Sequence, residues 1–424
     1  MRVLLIGGGG REHALAWKLA QSPKLARLIA APGNPGIARY GDCLPLKDTA
    51  VEPLVALAAR ERIDLTVVGP ELPLALGLAD RFREARLPVF GPSAAAARLE
   101  SSKVFAKDLL ARHGIPTAHF QTFSEVETAR RYCRELGPPL VVKADGLAAG
   151  KGAIVCKSLD EADRALALCL EQRAFGAAGL RVVIEEFMVG EEASFFVLSD
   201  GDHALPLAAA QDHKTVFDDD EGPNTGGMGA YSPAPVIDEA MQKRVMAEIV
   251  LPTIAAMRRE GVPFQGVLYV GLMITNDGPR VVEFNCRFGD PECQALLPRL
   301  DADLLPLLVA VADGHGLPSG LRWRADSSIC VVLASRGYPG AYETGHVIRG
   351  LEEAESQAGV AVFQAGTAAG DGKLVTAGGR VLGVQALGRD IAEAISRAYA
   401  SVDRIRFKGM HFRKDIGRRA VGRR

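Results

Sequence analysis

The strongest constraint on the fold of this 424-residue chain lies in residues 2–100, where short apolar runs alternate with helical stretches. The run RVLLIG is followed by EHALAWKLAQS, and DLTVVGPE is followed by a helical segment that leads to PVFGPS. Strands and helices that alternate in this way are typical of a parallel sheet covered by helices. We therefore predict a parallel α/β domain at the amino terminus.

The rest of the chain changes character twice. After a helical SSKVFAKDLLARHG, the strand-like segments PLVVKAD, GAIVC and RVVIEEFM surround a glycine-rich loop. A mixed region follows, with a helix predicted at 238–260 and strands FQGVLYVGLMI and RVVEFNC that suit an antiparallel sheet carrying a site. The last hundred residues, with strand-like SICVVLAS and HVIRG and the helix DIAEAISRAYASVDRI, predict a small α/β closing domain. The predicted domain boundaries are 1–102, 103–190, 191–325 and 326–424, within the two to four domains that the length suggests.

Composition excludes several classes of protein. The chain has 50 basic and 51 acidic residues, so nothing in its charge requires a nucleic acid or a membrane surface. The apolar run after Met1 is too short for a signal peptide or a membrane span, which favours a cytoplasmic protein. Seven cysteines without a CxxC pair predict reduced, mostly buried thiols. We expect a monomer, with weak dimerisation as the alternative.

A glycine-rich turn, residues 7–12, follows the first predicted strand and opens a helix. Free backbone N–H groups and the helix dipole favour an anion at such a turn. The dinucleotide fingerprint GxGxxG would need glycine at position 12, where Glu12 stands, and no acidic residue cleanly follows the next strand in LIAAPGNPG. The turn therefore favours a phosphate on a sugar over NAD, with a purely structural turn as the alternative.

Residues 143–152 read KADGLAAGKG and connect two predicted strands. Small residues let backbone amides approach triphosphate oxygens, and the lysines add positive charge. The segment is not a P-loop, because GxxxxGK[ST] would need Ser or Thr at position 152, and a strand follows it. Further on, the strand VVIEEFM and the following Glu192 offer backbone groups for an adenine edge and a carboxylate for ribose hydroxyls.

The most informative run is VVEFNCRFGDPE, residues 281–292. On a strand, Glu283 and Asn285 share one face and present oxygen ligands that suit Mg²⁺ bridging nucleotide phosphates. Arg287 is predicted on the same face, where a guanidinium stabilises a transferring phosphoryl group or binds a carboxylate. The alternative is an ordinary ion pair between Glu283 and Arg287. Cys286 is predicted to point to the opposite face and into the core.

These motifs in this order resemble the phosphoribosylamine–glycine ligase (glycinamide ribonucleotide synthetase) family of purine biosynthesis. The resemblance includes KADGLAAGKG, VIEEF, GEEASF, QDHK, PNTGGMGAYSP and EFNCRFGDPE, and it extends from GGREHALAWKLAQSP to RKDIG, essentially the whole chain. It implies an ATP-grasp fold with an amino-terminal Rossmann-like α/β domain, a small mobile lid, a central antiparallel-sheet subdomain and a small carboxy-terminal α/β domain. The implied reaction joins glycine to 5-phospho-D-ribosylamine with ATP and Mg²⁺ or Mn²⁺, through glycyl phosphate.

The resemblance also implies roles for individual residues, with Arg287, Lys143 and Asp212 as the predicted catalytic set. Arg287 would lie next to the γ-phosphate and the substrate carboxylate. The nucleotide would be held by Lys103, Lys143, the loop Ala149 to Gly152 with Gly150 and Lys151, the adenine-lining Glu185, Phe187 and Met188, and Glu192 at the ribose. Glu283 and Asn285 would bind the metal ion. The phosphoribosyl group and glycine would face Gly9, Gly10, Arg11, Glu12, Asp212, Lys214, Asn224, Thr225, Gly226, Gly227, Gly289 and Asp290.

Three other functions are considered beside this one. Another ATP-grasp ligase, using bicarbonate or formate, would share the nucleotide site, and the incorporated substrate distinguishes it. An NAD-dependent oxidoreductase lacks the fingerprint described above, and a nucleotide sensor would not need a complete metal face. Residues 218–221, all acidic, are expected to be solvated rather than a second metal site, and the basic tail RKDIGRRAVGRR is expected to be a solvated terminus. His213 either orients a substrate group or caps a turn, and is not predicted as a base.

Overall fold

The computed structural model describes residues 1–147 and 152–423. Its first part contains β1 (Arg2–Gly7), α1 (Gly10–Leu19), β2 (Arg27–Pro32), β3 (Asp42–Cys43), α2 (Val51–Glu61), β4 (Leu65–Val68), α3 (Glu71–Ala75), α4 (Leu78–Glu84) and β5 (Val89–Phe90). The strands form one parallel sheet in the order β3–β2–β1–β4–β5. Successive residues of β1 enter two different hydrophobic clusters, so both faces of the sheet are covered. The predicted parallel α/β domain is confirmed.

A small antiparallel sheet follows two connecting helices. Its part of the chain contains α5 (Ala94–Ser101), α6 (Lys103–Arg112), β6 (Phe120–Phe123), α7 (Val126–Leu136), β7 (Leu140–Ala144), β8 (Ala153–Cys156), α8 (Leu159–Leu166) and β9 (Val182–Glu186). The strand order is β6–β9–β7–β8. Ser102 is the N-cap of α6, since its hydroxyl accepts a hydrogen bond from the Phe105 N–H at 3.1 Å. All three strands that the sequence predicted here are present.

The central part of the chain supplies strands to two different sheets. It contains β10 (Glu191–Asp200), β11 (Ala204–Pro206), β12 (Gln211–Asp212), β13 (Gly229–Ser232), α9 (Glu239–Val245), α10 (Leu251–Arg259), β14 (Gln265–Thr275) and β15 (Gly278–Asn285). Four of these strands form an antiparallel sheet in the order β11–β10–β14–β15. The helix predicted at 238–260 is two helices joined by the π-helical turn Met246–Val250.

The last part completes the second sheet. It contains α11 (Glu292–Leu296), α12 (Leu304–Asp313), β16 (Ser327–Ser335), α13 (Leu351–Glu355), β17 (Val360–Gln364), β18 (Thr367–Gly370), β19 (Lys373–Thr376), β20 (Arg380–Gly388), α14 (Ile391–Val402) and β21 (Met410–His411). The sheet order is β12–β13–β16–β20–β17, with β21 paired to β16. The predicted strand HVIRG is wrong: Val347 and Arg349 form only single bridges. The four predicted domain boundaries stay a prediction.

The domains share cores rather than packing as separate units. One hydrophobic cluster joins β1 and α1 to Phe196, Tyr269 and α12, so the amino-terminal and central sheets are packed together. All seven cysteines are free and only Cys43 is not fully buried, which confirms the prediction of reduced, mostly buried thiols. Within the residues that the structure describes, no helix is long and apolar enough to span a membrane.

Candidate functional site

The candidate site lies where the small antiparallel sheet meets β15 of the central sheet. Lys143 on β7 donates from Nζ to the carbonyl of Val282 at 2.9 Å. That carbonyl lies at an irregularity of the β14–β15 pairing, where the register shifts between Gly271 and Leu272. A bulge releases a backbone group from the ladder, so β15 offers an acceptor to a side chain of the neighbouring sheet.

Glu185 is the buried centre of a three-residue ion cluster. Its two carboxylate oxygens lie 2.8 Å from Lys143 Nζ and 3.0 Å from Lys107 Nζ. Burial alone would raise the pKa of Glu185, but the two lysines outweigh burial and lower that pKa. Burial also lowers the pKa of Lys107 to about 8, in spite of Glu185. The Glu185 carboxylate, which was predicted to line adenine, therefore forms an ion pair with a lysine at each of its two oxygens.

The predicted metal ligands share one face of β15. Asn285 lies beside Glu283 and helps to lower its pKa, and Lys103 Nζ lies 4.0 Å from Glu283 Oε2. Burial would raise the pKa of Glu283, but Lys103, Lys214 and Lys143 lower it to about 2. The carboxylate is therefore ionised at neutral pH, as a hard-cation ligand must be, and three ammonium groups surround it.

A second group of predicted residues lies on β10, on β12 and just after β12, and its Lys214 acts on the Glu283 carboxylate. Lys214 Nζ lies 2.7 Å from Glu192 Oε2, and the surrounding carboxylates hold the pKa of Lys214 well above its usual range despite burial. Asp212 lies beside Lys214 but also faces Glu292 and Glu192. Burial first, and then these two carboxylates, raise the pKa of Asp212 to about 7. Asp212 is thus a carboxylate that exchanges a proton near neutral pH.

Replacing Asp212 by asparagine tests this shift through stability. Because the pKa rises from 3.8 to about 7 on folding, the native protein binds a proton between these values that the unfolded chain does not. Asp212 therefore lowers stability progressively as pH rises through this window. We expect the variant to be more stable than wild type at pH 8, by roughly 1–2 kcal/mol, and the difference to vanish near pH 4. Urea unfolding at the two pH values measures it, and a difference that does not depend on pH would contradict the shift.

The predicted substrate loop, residues 224–227, is held by Lys214 and by Arg380. The sequence analysis did not identify Arg380. The Thr225 hydroxyl donates to the Lys214 carbonyl at 2.7 Å and accepts from the Gly227 N–H at 2.9 Å. Arg380 donates to the Gly226 carbonyl. A Cβ at Gly227, where φ is +108°, would lie 2.5 Å from Pro291 Cδ, so this position requires glycine. Asn224 closes the loop by a single bridge to Thr215.

The glycine-rich turn of residues 7–12 lies against the residues that follow β15. A Cβ added at Gly9 or at Gly10 would lie within 3.7 Å of an Asp290 carboxylate oxygen. Asp290 in turn is 3.1 Å from Arg380, and arginines outweigh burial to lower the pKa of Asp290. A Cβ at Gly289 would lie 2.4 Å from Glu292 Oε2. The structure thus brings Gly9, Gly10 and Gly289 close to the predicted substrate loop.

Two members of the first turn use their side chains inside the protein. Glu12 accepts from the Gly9 N–H at 2.7 Å and pairs with Arg11 Nε at 2.6 Å, while Arg11 also donates to the Phe288 carbonyl at 3.0 Å. Both side chains are buried. Arg11 and Glu12 hold the turn against Phe288, which follows β15. Their contact with a phosphoribosyl group stays a prediction.

Arg287 follows the end of β15 and pairs with carboxylates other than Glu283. The strand ends at Asn285, so the two-residue period does not continue to position 287. Arg287 instead lies 3.2 Å from a carboxylate oxygen of Glu71 and 3.2 Å from one of Glu100. The alternative ion pair with Glu283 is wrong, because two acidic residues distant in sequence provide the partners. The placement of Arg287 on the metal face stays a prediction.

Other predicted residues have mixed outcomes. Cys286 is buried with its thiol near the Ala96 and Ala97 carbonyls, as predicted. Phe187 is exposed just after β9, and Met188 is half-buried. Gly152 is described, and its carbonyl accepts from the Ala144 N–H at 2.8 Å. The predicted loop residues Ala149, Gly150 and Lys151 lie outside the described residues.

The acidic run 218–221 has a structural role. Asp220 lies 2.9 Å from the fully buried Arg413, and Asp218 accepts from the Lys414 N–H at 2.7 Å. Among the described residues there is no group of three or more His, Cys, Asp or Glu side chains that could hold a metal ion. Asp219, Asp220 and Glu221 are exposed, as expected of a solvated run, and Asp218 and Asp220 also contact the RKDIG segment. Burial and neighbouring arginines lower the pKa of His213 to about 3, which agrees with its exclusion as a base.

Known proteins match this chain along its whole length. Family models described as the N domain, the ATP-grasp (A) domain and the C domain of phosphoribosylglycinamide synthetase match residues 1–100, 101–293 and 328–419. The chain belongs to the phosphoribosylglycinamide synthetase family. Phosphoribosylamine–glycine ligases of Mesorhizobium japonicum and Rhizobium meliloti are 55% and 56% identical to this member of the family, over 100% of the chain and 99% of each relative.

Solved structures support the fold of this synthetase family member. The crystal structure of a phosphoribosylamine–glycine ligase from Thermotoga maritima has a TM-score of 0.85 at 34% identity, covering 98% of this chain and 100% of that one. The biotin carboxylase domain of a Hydrogenobacter thermophilus 2-oxoglutarate carboxylase, in complex with MgADP, has a TM-score of 0.75 at 17% identity over 97% and 91% of the chains. The second likeness shows the fold alone. The predicted ATP-grasp α/β fold is confirmed.

Proposed function

We infer that the chain joins glycine to 5-phospho-D-ribosylamine and forms glycinamide ribonucleotide, ADP and phosphate, a step of purine biosynthesis. Full-length membership of a family with this activity confirms the predicted ligase. The single observation in the fold that supports the chemistry is the convergence of Lys103, Lys143 and Lys214 on the Glu283 carboxylate. Such a cluster suits the negative charge of a nucleoside triphosphate and its accompanying cation.

The reaction proceeds in two steps. A carboxylate oxygen of glycine attacks the γ-phosphorus of ATP, and the bond to the ADP oxygen breaks, giving glycyl phosphate. The amine of phosphoribosylamine then attacks the glycyl carbonyl carbon, phosphate leaves, and the amine loses a proton. Both steps depend on positioning and electrostatic stabilisation, so a nucleophilic Cys or Ser is not required.

We assign the nucleotide to Lys103, Lys143 and Glu192, beside the segment that follows β9. Lys214 bonds Glu192 and its backbone holds the substrate loop, so it couples the nucleotide to the sugar. Arg287, held by Glu71 and Glu100, fits the carboxylate of glycine better than the metal face on which the sequence placed it. The remaining predicted nucleotide and substrate residues keep their roles as proposals.

Asp212 is proposed to receive the proton that the attacking amine loses. Its pKa of about 7 lies where a general base works well, since an effective base has a pKa near the working pH. Its neighbours Glu192 and Glu292 make a further negative charge unfavourable at this position. The proton therefore has a stable acceptor close to the predicted substrate loop.

A divalent cation fits the oxygen donors of β15. Glu283 is ionised at neutral pH and Asn285 lies beside it, so a carboxylate and a side-chain amide are available on the same strand. Mg²⁺ held by Glu283 and Asn285 would neutralise charge on the phosphate oxygens during transfer. Mg²⁺ is supported by the MgADP of a structural neighbour, and Mn²⁺ is proposed as a substitute. We also propose a cytoplasmic monomer.

Phosphate release from ATP, with chemically generated phosphoribosylamine, tests the proposed function. Release that requires glycine, with glycinamide ribonucleotide as the product, is the expected result. Omission of each substrate in turn is the control, and bicarbonate and formate replace glycine in parallel reactions. Release with bicarbonate or formate but not with glycine would keep the ATP-grasp chemistry and refute the substrate.

A further inference from the structure

The basic carboxy-terminal tail, residues 417–423, contacts the candidate site through Arg419, although Arg418 and Arg423 are exposed. Arg419 donates from one guanidinium nitrogen to the Asp212 carbonyl, and its Nε donates to the Tyr231 hydroxyl at 3.2 Å. Its guanidinium also lies 5.9 Å from the centre of the Tyr231 ring. The expectation of a solvated terminus is thus wrong for Arg419, which acceptors on β12 and β13 bind, and right for the exposed Arg418 and Arg423.

The hydrogen bonds continue from Tyr231 to the backbone carbonyl of Glu192, the predicted ribose-binding residue. The Tyr231 hydroxyl donates to Gln211 Oε1 at 2.7 Å, and Gln211 Nε2 donates to the Glu192 carbonyl at 2.8 Å. Tyr231 and Gln211 are fully buried, so each of these groups depends on the next for its hydrogen bond. The tail is connected to the residue that holds Lys214.

A second set of contacts links Gln211 to the tail through Glu191. Gln211 Nε2 also lies 3.0 Å from Glu191 Oε1, and Arg423 pairs with both oxygens of Glu191 at 2.8 and 2.7 Å. The Arg423 pair is exposed and adds little by itself. Arg419 is the stronger contact, since it reaches a backbone carbonyl of the site and a buried hydroxyl.

We propose that Arg419 is a positioning residue, which fixes Asp212 directly and Glu192 through Tyr231 and Gln211. The proposal rests on the proposed function, in which Glu192 holds the ribose and Asp212 receives the proton of the amine. Arg419 touches neither substrate. Its two donors place the ends of β12 and β10 relative to each other, which sets where the nucleotide and the amine lie.

The two branches predict different kinetic effects. Tyr231→Phe keeps the buried ring and the Arg419 bond to Asp212 but removes the link to Gln211. We expect it to raise the KM for ATP by roughly 3- to 10-fold with little change in kcat, because a uniform loss of nucleotide binding acts on KM. Arg419→Ala removes both branches, and we expect kcat/KM to fall by about tenfold or more, since small misplacements of reacting groups are costly.

Three measurements separate positioning from general damage. Arg418→Ala removes an exposed arginine of the same tail and should behave as wild type, whereas Arg419→Lys should recover part of the loss. Thermal unfolding of each variant tests whether the fold is kept. Equal effects of the Arg418 and Arg419 substitutions, or an unchanged KM for ATP in Tyr231→Phe, would overturn the proposal. If wild type shows no glycine-dependent phosphate release, only the proposed function is refuted. ADP affinity of the same variants, measured by calorimetry, then still tests the link from Arg419 through Tyr231 to Glu192.

Discussion

Replacing Glu283 by glutamine is expected to leave the fold intact and to lower turnover by about 10²-fold or more. The substitution keeps the shape of a side chain that is 26% exposed, so packing changes little. It removes the negative charge that faces Lys103, Lys143 and Lys214 and weakens a cation ligand. Steady-state kinetics over a range of Mg²⁺ concentrations measures the effect, and more Mg²⁺ should be needed for half-maximal rate.

The control for Glu283 is a glutamate whose charge has no role in the site. Glu248→Gln removes a surface carboxylate that pairs with Arg244 across one helical turn, and both side chains are partly exposed. We expect it to keep wild-type kinetics, because exposed pairs contribute little. Unchanged turnover in Glu283→Gln would remove the residue from the proposed cation site. An equal loss in both variants would point to a general effect of charge.

Local pattern predicted the elements that carry the site. Apolar runs, glycine turns and the two-residue period of a strand depend on neighbours in sequence, so β1, β7, β9 and β15 were predicted from the chain alone. The same period placed Glu283 and Asn285 on one face of β15, and both residues lie on that strand in the structure. It was extended too far at Arg287, because nothing in the local sequence shows that β15 ends at Asn285.

Partners distant in sequence could not be predicted in this way. Glu71 and Glu100 hold Arg287 across separations of 216 and 187 positions, and no period in the chain relates them. The short strands β12 and β13 pair with the carboxy-terminal sheet, although they lie between strands of the central one. The same folding brings Arg419 to Asp212, so a tail that reads as solvated in sequence contacts the site.

Lys143 and Lys107 allow the roles of charge in binding and in folding to be separated. Each lies within 3.0 Å of the buried Glu185, and each is at most 5% exposed. Replacing either by methionine leaves Glu185 with one cation, so we expect both variants to lose stability, by about 3 kcal/mol. Only Lys143 also reaches the Val282 carbonyl beside Glu283, whereas Lys107 contacts Thr117.

The two variants should therefore differ in catalysis. We expect Lys143→Met to lower kcat/KM for ATP by roughly 10²-fold or more, since a cation facing the phosphates is lost, and Lys107→Met by less than tenfold. Urea unfolding and steady-state kinetics at a temperature where both proteins are folded measure the two effects. Equal catalytic losses would show that Lys143 acts only through the buried cluster. A selective loss would assign the phosphate contact to Lys143, because the two lysines neutralise the same carboxylate from opposite sides.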